Sequence, residues 1–186
     1  LIKEYLTKHQ RIIFNGDGYS DEWVAEAERR GLPNIKSMIE AVDTLTTDKS
    51  VNLFKKFGIF TKAELESREE VLYETYAKTI NIEALTMIDM ASKQIIPAVV
   101  RYTKSLADTV IAVKEAGADA SVQTSILQEV SEKLAHMKEA LAKLEKAEAK
   151  AGTISSARER AFYYKDEVKT AMEELRAPVD AAEKLV

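Results

Sequence analysis

The chain has 186 residues but only six Gly and three Pro, where average usage would give about twenty. That excludes a many-turned β protein, a collagen-like chain and a Gly/Pro-rich disordered one. The formal charge is −4, from 27 basic and 31 acidic side chains, and the pI is near 5.4, which argues against a dedicated nucleic-acid binder. With no cysteine there is no disulfide, thiolate metal site or cysteine nucleophile, a composition that fits a reducing compartment. No apolar run approaches the roughly 20 residues that a membrane span needs. The polar opening, Leu1–Arg11, reads as neither a signal peptide nor a natural start, so the expectation is a piece of a longer protein.

Leu1–Ile13 reads as the end of a helix, with Ile2, Leu6 and Ile13 at helical spacing. Asn15-Gly16-Asp17-Gly18 then predicts a turn, since Gly and Asn accept positive φ cheaply. Ser20 is the expected N-cap of a helix carrying Trp23, Val24 and Ala27, with Arg29-Arg30 in its last turn and Gly31 and Pro33 as stop signals. Short helices follow over about 35–45 and 48–57, the second ending at Gly58. Thr61-Lys62-Ala63-Glu64 is a capping box, with Phe60 and Leu65 as its hydrophobic staple. No glycine follows until Gly117, which predicts one helical path over about 62–115, about 80 Å long if straight, kinked near Pro97 or divided into two helices there. Ile95, Val99, Tyr102, Leu106, Thr109 and Val113 form its seam.

From about 121 to 151, Leu127, Val130, Leu134, Met137, Leu141 and Leu144 alternate steps of three and four, a heptad seam. Ser156…Glu159 is a second capping-box candidate. It opens a last helix to about residue 184, with Ala161, Tyr164, Val168, Met172, Leu175, Val179 and Ala182 on one face and Pro178 expected to kink or fray its end. Three seams joined by short turns predict an all-α fold. Short helices and turns over residues 1–60 would lead into a long three-helix antiparallel bundle, with coiled-coil-like seams, over 61–186.

Chemistry is sparse in the sequence. The Asn15–Gly18 turn fails as a dinucleotide fingerprint because Asp21 stands where the third Gly is needed. Asp17, Tyr19 and Asp21 fail as a calcium loop because Tyr19 cannot supply the middle ligand. His9 and His136 lie in separate helices without clustered carboxylates. Glu132 and His136 are four apart, not the three that a carboxylate-bridged metal centre in a bundle uses, and no second such motif exists. Glu64, Glu66, Glu69, Glu70 and Glu74 read as a solvated face, and Tyr73, Tyr76, Tyr102, Tyr163 and Tyr164 as core packing. The residues propose no catalytic, cofactor-binding or metal-binding side chain.

Two stretches carry more. His9-Gln10-Arg11-Ile12-Ile13-Phe14-Asn15-Gly16-Asp17-Gly18-Tyr19-Ser20-Asp21-Glu22-Trp23 resembles the start of the C-terminal region of type III glutamine synthetases, the long-chain bacterial class. Lys78-Thr79-Ile80-Asn81-Ile82-Glu83-Ala84-Leu85-Thr86-Met87-Ile88-Asp89-Met90-Ala91, running on to Ile96-Pro97-Ala98-Val99, resembles a second block of that region. The resemblance covers about 8–108, and Gln10, where Lys is expected, is a small departure. It implies a cytoplasmic parent enzyme that joins ammonia to glutamate through a γ-glutamyl phosphate, using ATP and magnesium or manganese held upstream of this chain. It also implies, as partners, the chain's own catalytic domain and neighbouring subunits of a homo-oligomer, with no nucleic acid and no membrane. This stretch would be non-catalytic and inactive alone, structural, oligomerising or regulatory. The alternative that periodicity supports is a stand-alone helical coiled-coil interaction module.

Overall fold

The computed structural model describes residues 1–185. Among them every regular element is helical, and no helix is long and apolar enough to cross a membrane. The chain divides into two compact units, the first spanning Leu1–Thr44 and the second beginning at Leu45.

The first unit holds α1 (Ile2–Lys8), a 3₁₀ turn (Gln10–Ile12), α2 (Asp21–Arg29) and α3 (Met38–Val42). The Ser20 hydroxyl accepts the Trp23 N–H at 3.3 Å and so caps α2 as expected. Gly31, at φ +70°, lets the Leu32 and Gly31 amides turn back onto the carbonyls of Ala27 and Glu28, the Schellman stop. The expected helix over 35–45 is confined to the five residues of α3. It opens on a capping box, Ser37 with Glu40, that the sequence reading passed over. A second correction concerns the turn at Asn15–Gly18: neither glycine has positive φ, so conformational freedom is not what these positions require.

In the second unit, α4 (Asp48–Lys56) is capped by Thr47 and stopped at Gly58, at φ +63°. α5 (Lys62–Met90) starts at the expected box: Glu64 accepts the Thr61 N–H at 2.7 Å while the Thr61 hydroxyl accepts the Glu64 N–H at 3.3 Å. Phe60 links the two helices, its ring 5.5 Å from that of Phe54 on α4 and 4.4 Å from the Arg68 guanidinium on α5. The helical path continues through a π-helical turn, Ala91–Ile95, into α6 (Ile96–Glu115). The interruption expected near Pro97 is thus a π turn between two α-helical stretches. The backbone stays helical, and the widened turn lies just where Pro97, lacking an N–H, would leave the Lys93 carbonyl without its donor and press its ring against it.

α7 (Ser121–Ala151) is opened by Asp119, whose carboxylate accepts both the N–H and the hydroxyl of Ser121 at 2.9 and 2.8 Å. α8 (Ala157–Tyr163), a second π turn (Tyr164–Val168) and α9 (Lys169–Glu183) form the last path. Ser156 accepts the Glu159 N–H at 3.3 Å, which is half of the expected box. Pro178 lies inside α9, which runs on to Glu183 rather than ending at the proline.

The core shows how the paths run. One cluster joins Ala77, Ala84 and Ala91 to Leu141, Leu144 and Ala151 and to Tyr164, Val168, Ala171 and Leu175. The other joins Val99 to Val130 and Met137 and to Ala182. Rising numbers in α5–α6 meet falling numbers in α7 and rising numbers in α8–α9, so the order is up, down, up. The α7 seam is as expected, with Val130, Met137, Leu141 and Leu144 fully buried. In α6 the seam differs at one place: Thr109 is exposed and Val110 is buried. Heptad steps from Ala77, Ala84 and Ala91 would next reach Ala98, Ser105 and Ala112, yet Val99 is the buried residue, and Leu106 and Val113 are more enclosed than Ser105 and Ala112. The intervening π turn has advanced the seam by one residue.

Candidate functional site

Side chains capable of catalysis are scattered. His9 is exposed and stacks on Tyr5 at 6.0 Å, and His136 is exposed on α7. Among the described residues no three His, Asp or Glu side chains gather to hold a metal. Asp17 serves its own turn: its carboxylate accepts the Tyr19 N–H at 2.9 Å, and its carbonyl accepts the Ser20 hydroxyl at 2.7 Å. On α5, Glu64 folds back onto Thr61, Glu66 meets Lys62, Glu69 accepts the Thr46 hydroxyl and Glu74 meets Lys78. The five tyrosines expected in the core lie there, Tyr73 and Tyr164 buried and Tyr76, Tyr102 and Tyr163 packed against it.

The first sequence block is held in a specific arrangement by Arg30, which follows it at the end of α2. Its Nη1 donates to the carbonyls of Arg11, at 2.9 Å, and Ile13, at 2.6 Å, while its Nε donates to Glu26 at 2.5 Å. The guanidinium lies 5.7 Å from the Trp23 ring and 6.0 Å from that of Phe14, and these two rings are themselves 4.6 Å apart. Arg29 holds Glu26 from the other side with two bonds of 2.6 Å. Hydrogen bonds from Arg29 and then Arg30 lower the Glu26 carboxyl to about 2. A Cβ on Gly16 would stand 2.7 Å from the Phe14 ring, so the glycine makes room for that ring against Trp23. Chemically this is a clamp that holds the 10–15 segment on α2. Sequence reading placed Arg30 only as a last-turn cation. The legible signal was a carboxylate three and four residues before an Arg-Arg pair.

The second block supplies core and surface together. Ile80, Ala84, Met87, Ile88, Ala91 and Val99 face the core, whereas Ile82, Leu85 and Met90 are exposed. Ile82, Met87, Met90, Met172 and Val179 line an open groove of about 420 Å³ between α5 and α9, with Glu83 and Arg176 among its few charged residues. Such a lining suits apolar contact and offers no converging set of catalytic groups.

The sequence model of the glutamine synthetase C-terminal domain matches residues 1–114. The chain belongs to the glutamine synthetase C-terminal domain family. A glutamine synthetase of Butyrivibrio fibrisolvens is 40% identical over the whole chain, which spans 27% of that relative. A type-3 glutamine synthetase of Dictyostelium discoideum is 42% identical over 59% of the chain and 15% of its own length. A glutamine synthetase of Bacteroides fragilis is 30% identical over 98% of the chain and 26% of its own length. The chain thus spans about a quarter of the length of the full relatives it matches. The resemblance carried by the two sequence blocks is therefore shown, and the family match reaches back through α1. Within this domain the first block supplies the carbonyls of Arg11 and Ile13 and the rings of Phe14 and Trp23 to the Arg30 clamp, and the second flanks the π turn between α5 and α6.

Proposed function

We propose that this domain is the non-catalytic C-terminal region of an ATP-dependent glutamate–ammonia ligase and that it acts by holding the catalytic part and neighbouring subunits of a homo-oligomer in place. The observation that carries the reading is the family match over residues 1–114 by a chain spanning only about a quarter of its relatives. The parent would use ATP to phosphorylate the γ-carboxylate of glutamate. Ammonia would then displace phosphate from the acyl phosphate to give glutamine. ATP and magnesium or manganese belong to the catalytic part of that parent, which acts in the cytoplasm. What the domain offers instead is apolar surface: Ile82, Leu85 and Met90 on α5, Val100 and Ile111 on α6.

The test compares this chain with the longer polypeptide that contains it. The longer polypeptide is expected to form glutamine from glutamate, ammonia and ATP, and this chain to form none. Removing residues 61–186 from the longer polypeptide is expected to reduce its assembly size. Glutamine formation by this chain above a buffer blank, abolished by point changes within it, would overturn the non-catalytic assignment.

A further inference from the structure

The clamp in the first unit leaves cationic donors unused, and they converge. Gln10, Arg11, Ile13, Asn15, Arg29 and Arg30 line an open hollow of about 510 Å³. Its wall is three cations, two amides and an isoleucine, with no carboxylate among the described residues. Glu26 offsets one of the cations and is engaged through both oxygens, one accepting from Arg29 and Arg30 and the other from Arg29. Three guanidinium groups against one carboxylate leave an excess of two positive charges. A guanidinium carries five N–H groups. Arg30 uses Nε for Glu26 and Nη1 for the carbonyls of Arg11 and Ile13, which leaves Nη2. Arg29 uses Nε and Nη2 for Glu26, which leaves Nη1. Among the described residues the Arg11 guanidinium has no hydrogen bond or ion pair, and neither amide side chain has one. Two of the three forks are already held in place by the clamp, so a ligand need not order them.

We infer that this hollow, walled by Arg11, Arg29 and Arg30, binds a phosphoryl group, presented by orthophosphate or by a small phosphate monoester. Such a group carries about −1.5 to −2 charge at neutral pH and three strong acceptor oxygens. That matches two excess charges and donors arriving from several side chains. A carboxylate brings one charge and two oxygens and is already represented by Glu26. Guanidinium forks suit phosphate oxygens because they bond them in pairs. The site gives the domain a ligand of its own and does not depend on the assembly role proposed above.

Equilibrium dialysis with labelled orthophosphate, at constant ionic strength, tests this. The chain should bind phosphate saturably, and the emission of Trp23, whose ring lies 5.7 Å from the Arg30 guanidinium, should follow occupancy. Arg11→Gln should weaken binding at least about tenfold through the lost charge-assisted bonds. It should leave the emission of the unliganded chain unchanged, because the Arg11 side chain holds nothing in the fold. Arg11→Lys should fall between the two, keeping the charge without the fork. Competition with glycerol 3-phosphate identifies the source: tighter binding than orthophosphate assigns a monoester, weaker binding assigns free phosphate, and either supports the site. Acetate competing as well as orthophosphate would overturn the phosphoryl assignment. So would phosphate binding that is absent, or that is unchanged in Arg11→Gln. The longer polypeptide should also bind less phosphate when it carries Arg11→Gln. Equal binding there would mean that the hollow is closed in the whole protein, which overturns the inference and leaves the proposed function intact.

Discussion

Gly16 lies beneath the ring of Phe14, and the ring has little freedom to move away, because Trp23 and Arg30 hold it from other sides. Gly16→Ala should therefore force the ring off Trp23 and destabilise the first unit by about 1–3 kcal/mol, the usual cost of overpacking. Trp23 is the only tryptophan, so its emission reports the change directly. An unaltered spectrum and unfolding midpoint would show that the ring is not held. Glu26 makes the same clamp sensitive to acid. Its carboxyl is lowered to about 2 from an ordinary 4.5, so the charged form is favoured by folding. Its stabilisation is complete above about pH 4.5 and is lost as pH falls toward 2. The denaturation midpoint followed by Trp23 should drop across that window, and the drop should shrink in Glu26→Gln. An equal drop in both proteins would assign the acid sensitivity to other carboxylates.

Helix ends were the most legible elements, because a cap is written within four residues. Thr61 with Glu64, Ser20 before Trp23, and Gly31, Gly58 and Gly117 after their helices all act where the sequence places them. Thr61→Ala should cost about 1 kcal/mol through the lost cap on α5, read as a lower midpoint of helical signal. An unchanged midpoint would mean that packing alone sets that helix start. Less legible were elements that depend on partners distant in sequence. The carbonyls that Arg30 binds lie 19 and 17 residues before it, and no periodicity reveals them. The one-residue step from the α5 alanine register to Val99 arises in a π turn whose only local sign was Pro97.

At the scale of the whole molecule, the second unit depends on small residues where three helical paths meet. Ala77, Ala84 and Ala91 recur every seven residues along α5 and into the π turn and are all buried in one cluster with Leu141 and Leu144. A bulky residue has no room there. Ala84→Leu is expected to cost about 1–3 kcal/mol and to lower the thermal midpoint, whereas the same change at exposed Ala63 should have little effect. Equal midpoints for the two variants would show that the paths are not closely packed at Ala84. The all-α class was legible because sparse Gly and Pro leave few places for turns. The α5 seam was not, because a reading that looks for Leu and Val passes over an alanine repeat. The exposed groove beside it was not legible either: which apolar face stays uncovered is decided by the other paths.

The π turn at Ala91–Ile95 also marks where this chain can change its length. A π turn holds one residue more than the α-helical turn it replaces. Deleting one residue there would let the turn relax to α-helix with the seams of α5 and α6 still in phase. The same deletion in the middle of α7, which is α-helical throughout, would rotate everything beyond it by about 100° and turn its apolar face away from the core. Insertions and deletions that separate this chain from its relatives should therefore collect at such turns and between helices, and should be rare within α7.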